Sequence, residues 1–170
     1  MDLHRKSPRA QFPEYNEGRY FITVCTHDKV HYFGEIHDGE MHLSAIGRFV
    51  ENELVNVKIH HPHVEVPLFV VMPNHWHAIV CIGSPEDAAR SVPTLEQRIE
   101  SQLKDKGRTL LSAFVGSVKS STTRFANLNG IDFRWQERYH DHVIRGYELN
   151  MIAEYIEHNV GRWDSDCFRT

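Results

Sequence analysis

At 170 residues and 19.8 kDa, with 41% hydrophobic and 25% charged residues, the chain has the size of one globular domain, neither fibrous nor disordered. Thirteen histidines stand beside only three cysteines, Cys25, Cys81 and Cys167, whose odd number and missing CxxC spacing speak against a disulfide framework and a thiolate zinc knuckle. The formal net charge of −4 does not exclude nucleic acid, since residues 98–124 alone carry six Lys/Arg against two acids.

Residues 1–17 form a basic, Pro-containing arm without the apolar core of a signal peptide. No apolar run approaches the roughly 18 residues of a membrane span; the best is Leu68–Met72. Both observations point to the reducing cytoplasm. Arg19–Thr26, rich in β-branched and aromatic residues, predicts a strand. Asp38-Gly39 is a turn signal for a hairpin of Tyr32–Ile36 with Met41–Leu43. Ser44 is a candidate N-cap, and Ile46, Phe49, Val50, Leu54 and Val57 recur at helical spacing, which predicts a helix over 45–59. His60, His61 and His63 flank Pro62 in a loop and read as surface residues. Val64–Met72 and His75–Ile82, separated by Pro73-Asn74, predict an antiparallel pair. Residues 83–108 read as an insertion or mobile loop with a short helix at 94–104. A helix at about 109–126, a strand over Tyr139–Ile144 and a last helix over Glu148–His158 complete the chain. This order predicts a single α+β domain over 1–170: a ferredoxin-like antiparallel sheet with helices covering one face.

Two patterns could carry chemistry. His75-Trp76-His77 puts two imidazoles on one face of a strand, where they can converge on a cation, while Trp76 turns the other way into packing. Taken alone, such a pair more often means hydrogen-bonded histidines at intermediate burial. Tyr155 and Asn159 stand one turn apart on a helix, offering a phenol nucleophile and an amide oxygen. Taken alone, Tyr155 fits an apolar stripe with Met151, Ile152 and Ile156. A zinc site of His75, His77 and Cys81, which share strand parity, lacks a fourth ligand. Lys119 to Arg124 offers cations and hydroxyls of the kind that contact phosphates, and Trp135 to Tyr139 sets aromatics beside arginine.

Together these segments resemble the HUH-type (His-hydrophobic-His) single-domain tyrosine transposases, of the REP-associated and related insertion-sequence single-strand kind. The resemblance rests on GRYFITVCT (18–26), VVMPNHWHAIV (70–80), SVKSSTTR (117–124), WQERYHDHVIR (135–145) and YIEHN (155–159), in the family's order and over about residues 18–166. One departure is Val160, where the family usually has proline after the asparagine; Trp163 and Asp164 resemble a branch ending in Trp and Asp.

The resemblance implies the HUH endonuclease fold. It makes His75 and His77 metal ligands, with Asn159 as a third, and Tyr155 the nucleophile. The implied cofactor is a divalent metal, Mg2+ or Mn2+. The implied activity is cleavage and rejoining of single-stranded DNA bearing a hairpin or palindromic repeat, through a 5′-phosphotyrosine. Lys119, Arg124, Arg134 and Arg138 are the expected DNA contacts, and His158 is a conceivable base. Monomer and homodimer both remain open. The alternatives are a domesticated protein that no longer mobilises itself, or a non-catalytic RRM-like nucleic-acid-binding protein.

Overall fold

The structure, a computed structural model, describes residues 18–83 and 110–169. The arm at 1–17 and nearly all of the expected insertion, with its short helix at 94–104, lie outside the described residues. Strand β1 (Gly18–Cys25) buries Tyr20, Ile22 and Val24 on one side, and Thr23 with the half-buried Phe21 on the other. Strands β2 (Gly34–His37) and β3 (Glu40–Leu43) form a separate two-stranded sheet. Asp38 and Gly39 close it with positive φ (53° and 78°), as a two-residue Asp-Gly hairpin requires.

Ser44 caps helix α1 (Ala45–Val55), its Oγ accepting the Gly47 N–H (3.1 Å), and Ile46, Val50 and Leu54 form the buried stripe. The helix expected over 45–59 breaks at Asn56. Its side-chain amide donates to the Asn52 carbonyl (3.0 Å) and Asn52 Oδ1 (2.8 Å), a local bonding choice that competes with the helical ladder. A short helix α2 (Val57–His60) follows. Strands β4 (Val64–Met72) and β5 (His75–Ile82) pair antiparallel, with Pro67 where the register shifts between Glu65 and Leu68. β4 is an edge strand, which is where a residue without an N–H is tolerated. Helix α3 (Leu110–Leu128) closes on Gly130 (φ 68°), with the Ile131 N–H on the Ala126 carbonyl (2.9 Å). Strand β6 (His140–Val143), helix α4 (Leu149–Glu157) and a 3-10 turn (Val160–Ser165) follow.

The main sheet runs β4-β5-β1-β6 with every pair antiparallel. With α1 between β1 and β4 and α3 between β5 and β6, this is the ferredoxin-like βαββαβ arrangement. Its two faces are covered differently. α1 and α3 pack over Tyr20, Ile22, Val24, Trp76, Ala78 and Val80. α4 covers the other face, where Ile156 and Ile144 meet Ile79 and Phe21. Helices on one face only were expected; the strands carry apolar residues of both parities, so the second face needs a cover too. No helix among the described residues is long and apolar enough to cross a membrane.

Candidate metal and tyrosine site

β5 sends His75 and His77 to the face that α4 covers, while Trp76 between them is buried against α1 and α3. The imidazoles are 0% and 1% exposed, and their Nε2 atoms lie 3.0 Å apart.

Their outer nitrogens are held in place. His77 Nδ1 is 2.7 Å from Oγ1 of Thr23, its register partner on β1. His75 Nδ1 is 2.7 Å from Asn74 Oδ1. The Asn74 amide is fixed from its other end, where Nδ2 donates to the carbonyls of Lys29 (3.1 Å) and Phe168 (2.9 Å). Oδ1 can only accept, so His75 carries its proton on Nδ1 and presents a lone pair at Nε2. Burial, reinforced by His77 and then Lys29, pushes the His75 pKa down to about 2, and burial pushes His77 down to about 3. Both rings are therefore neutral.

Tyr155 enters from α4 with its hydroxyl 3.3 Å from His77 Nε2. Phe21 stacks on His77 (ring centroids 5.2 Å apart) and meets Tyr155 edge-on (6.0 Å). Burial raises the Tyr155 pKa above the ordinary phenol value; a hydrogen bond from the Asn159 side chain pulls it down, and Asp166 and Cys167 push it up again. Asn159, at the start of the 3-10 turn, is 2% exposed, and its Oδ1 is buried with no hydrogen-bond partner. Leaving such an acceptor unpaired costs about 1–3 kcal/mol, which a ligand at that atom would offset.

Asp166, which the sequence pattern did not single out, joins this group. Its Oδ1 accepts the Phe168 N–H (2.8 Å), and Oδ2 lies 3.9 Å from His75 Nε2. His75, His77 and Asp166 bring one donor atom each within 4.8 Å of one another. Two neutral imidazoles, a carboxylate and an orphaned amide oxygen suit Mn2+ or a neighbouring transition metal, and tolerate Mg2+.

The C-terminal segment roofs the site. Phe168 and Trp163 pack on the His75 ring (4.6 and 6.2 Å). Lys29 Nζ donates to the Cys167 carbonyl (3.1 Å) and lies 5.9 Å from the Phe168 ring. Lys29 and Asp28 occupy the left-handed region (φ 56° and 51°), a strain of about 1–2 kcal/mol per residue.

Other expectations fare unevenly. Asp164 is exposed and pairs with Arg169, so Asp166 is the tail carboxylate at the site. Cys81 stands four residues beyond His77, roughly 13 Å along the strand, and burial raises its thiol pKa, opposite to what a zinc thiolate needs. His158 is exposed and its Nδ1 bonds the Glu154 carbonyl (2.8 Å), within its own helix. His61 is half-buried edge-on to Phe114 (5.7 Å), not a surface residue.

Lys119 and Arg124 share an outward face of α3, where an open groove of about 640 Å³ also meets Ser120, Thr123 and Asn127. That helix lies across the sheet from the imidazoles. Lys119 Nζ is engaged, donating to the carbonyls of Gln136 (2.5 Å) and Glu137 (3.2 Å), and burial lowers its pKa. Arg134 and Arg138 are exposed, Arg134 beside Asp132 (3.7 Å). Their segment runs along the end of β1, with the Gln136 N–H on the Cys25 carbonyl (3.0 Å), where Cys25 pairs with His75.

Thr23 could have been noticed as the polar residue in an apolar strand, and Asn74 as the neighbour of His75. Asp166 gave no such signal, because its place depends on the path of the chain after α4.

No protein-family model matches the chain. An uncharacterized protein of Haemophilus influenzae is 34% identical over 167 residues, which is 96% of this chain and 92% of that protein. The structure of a REP-associated tyrosine transposase bound to a REP hairpin is similar at a TM-score of 0.56 and 17% identity, over 87% of this chain and 69% of that one. A candidate transposase of Deinococcus radiodurans is similar at a TM-score of 0.43 and 14% identity, over 89% of this chain and 95% of that one, a likeness too loose to carry an argument. The chain belongs to one protein family with the Haemophilus influenzae relative, and its fold is that of the REP-associated tyrosine transposase.

Proposed function

We propose that this protein cleaves and rejoins single-stranded DNA bearing a hairpin or palindromic repeat, as a transposase-type tyrosine enzyme. The observation that carries the reading is the Tyr155 hydroxyl 3.3 Å from His77 Nε2, inside a buried group of neutral imidazoles and unpaired oxygen. The shared fold supports it, since the similar structure holds a REP hairpin.

In this reading His75, His77 and Asn159 hold a divalent cation, Mg2+ or Mn2+, and Asp166 adds the anionic ligand. When bound, the ion supplies charge stabilisation at the scissile phosphate. The rest is done by the chain. The oxygen of the half-exposed Tyr155 forms a bond to phosphorus as its proton passes to solvent. The bond from phosphorus to the 3′ oxygen breaks, and that oxygen takes up a proton. The product is a 5′-phosphotyrosine and a free 3′-hydroxyl, and attack by a 3′-hydroxyl on the ester reverses the step without an external energy source. Thr23 and Asn74 fix the two rings. Phe21, Phe168 and Trp163 limit water around the imidazoles. Arg134 and Arg138 contact DNA phosphates near the site, and Lys119 and Arg124 contact them on α3. Residues 1–170 act as one domain in the cytoplasm.

The test is incubation with hairpin-bearing single-stranded DNA and Mn2+. Nicking that needs the ion and disappears in Tyr155→Phe supports the reading; nicking that survives in Tyr155→Phe overturns it.

A further inference from the structure

Lys29 is held at the mouth of the site by a backbone that would relax if released. Asp28 and Lys29 are consecutive residues other than glycine in the left-handed region (φ 51° and 56°), and such strain persists only where surrounding bonds enforce it, as at ligand clamps. The site itself enforces it. Asn74, whose Oδ1 orients His75, donates Nδ2 to the Lys29 carbonyl (3.1 Å). Thr26 Oγ1 lies within hydrogen-bond distance of the carbonyls of Val30 (2.8 Å) and Asn74 (3.0 Å), which share its one proton and close the loop onto the same turn. The loop that carries the lysine and the turn that aims the imidazole are one unit.

The ammonium group at the end of Lys29 has no ion pair among the described residues; it holds the Cys167 carbonyl (3.1 Å) beside the Phe168 ring. Cys167 is exposed, so this partner can be exchanged. A phosphate oxygen is the same kind of hard acceptor with a charge added, and binds an ammonium more strongly than a neutral carbonyl does.

We propose that Lys29 grips a phosphate of the DNA strand next to the one that Tyr155 attacks, with a phosphate oxygen taking the place of the Cys167 carbonyl. The proposal rests on the DNA-cleavage reading above. A point charge of this kind positions the strand and does not read its bases.

Binding of hairpin-bearing single-stranded DNA is measured in Tyr155→Phe protein, so that cleavage does not enter, with Lys29 intact, Lys29→Met and Lys29→Arg. Lys29→Met is expected to bind several-fold more weakly, with a salt slope smaller by about 0.7, the value for one phosphate on a single strand. Lys29→Arg restores both. A neutral methylphosphonate, walked through the strand one position at a time, weakens the Lys29 protein wherever a phosphate is contacted, and at one of those positions it leaves Lys29→Met unaffected. If Lys29→Met binds with the parent's affinity and slope, the assignment fails and the cleavage reading stands. A defect that no single neutral position reproduces is loop damage and also overturns it. If the parent binds no DNA, both readings fall.

Discussion

The Nε2 atoms of His75 and His77 face each other at 3.0 Å, and the His75 atom presents a lone pair because Asn74 Oδ1 takes the proton on its other nitrogen. Unless His77 turns a proton towards it, two lone pairs meet across that gap. The Thr23 hydroxyl fits either case, since it can donate to His77 Nδ1 or accept from it and leave Nε2 bare. With the His77 proton on Nδ1, both electron pairs converge on one buried point near the unpaired Asn159 oxygen, an arrangement that a cation would satisfy.

Thr23→Val keeps the volume of the β1 side chain and removes the hydroxyl. Outer partners of this kind are worth about 10- to 100-fold in metal affinity. Titration calorimetry with Mn2+ is therefore expected to show weaker binding by that order, with the fold retained in the far-ultraviolet circular dichroism spectrum.

Asn74→Ala strips three hydrogen bonds at once, from His75 and from the carbonyls of Lys29 and Phe168. The expected loss is about 2–3 kcal/mol of unfolding free energy, read from urea denaturation of the metal-free protein. A loss below half a kcal/mol would mean that the loop, the tail and the ring are not tied through this residue.

The two depressed histidines set a pH dependence. An unfolded imidazole titrates near pH 6.5, whereas the folded His75 and His77 do so at about 2 and about 3. Below roughly pH 6.5 the unfolded chain binds more protons than the folded one, so stability falls with pH by up to about 1.4 kcal/mol per unit for each ring. The stabilising contribution is complete above that pH and is lost as pH falls towards the folded values. The metal-free protein should show a melting temperature that is level at neutral pH and drops steadily in acid, and His77→Gln should roughly halve that slope.

Arg124 and Lys119 separate binding from structure. Arg124 is exposed, so Arg124→Ala is expected to weaken DNA binding and reduce its salt slope by about 0.7 to 0.9 per phosphate lost, at unchanged melting temperature. Lys119 ties α3 to the Gln136 and Glu137 carbonyls, so Lys119→Ala should lower the melting temperature as well.

Where a residue's role depends on local periodicity, the sequence was legible. The spacing of His75 and His77 sets their common face, and the four-residue spacing keeps Tyr155 of α4 near Asn159, although Asn159 lies just past the helix, at the start of the 3-10 turn. The strand pair, the Asp-Gly hairpin and the Ser44 cap follow from residues within a few positions of each other. What depends on the path of the chain in space was not legible. Asp166 reaches His75 only because a 3-10 turn follows α4 and folds the tail back over the site. The face that α4 covers is set by packing on Ile79 and Phe21, since a helical stripe shows that one side is buried and not against what. Lys29 owes its place to backbone angles that no residue type in that loop announces.

The proposed function turns on Tyr155 as the nucleophile. The direct measurement is mass spectrometry of the protein after reaction with hairpin-bearing single-stranded DNA and Mn2+, followed by proteolysis and mapping of the modified peptide. The expected result is a covalent 5′-phosphate adduct on Tyr155 and none in Tyr155→Phe. An adduct on another residue, or strand cleavage with no adduct at all, would contradict it.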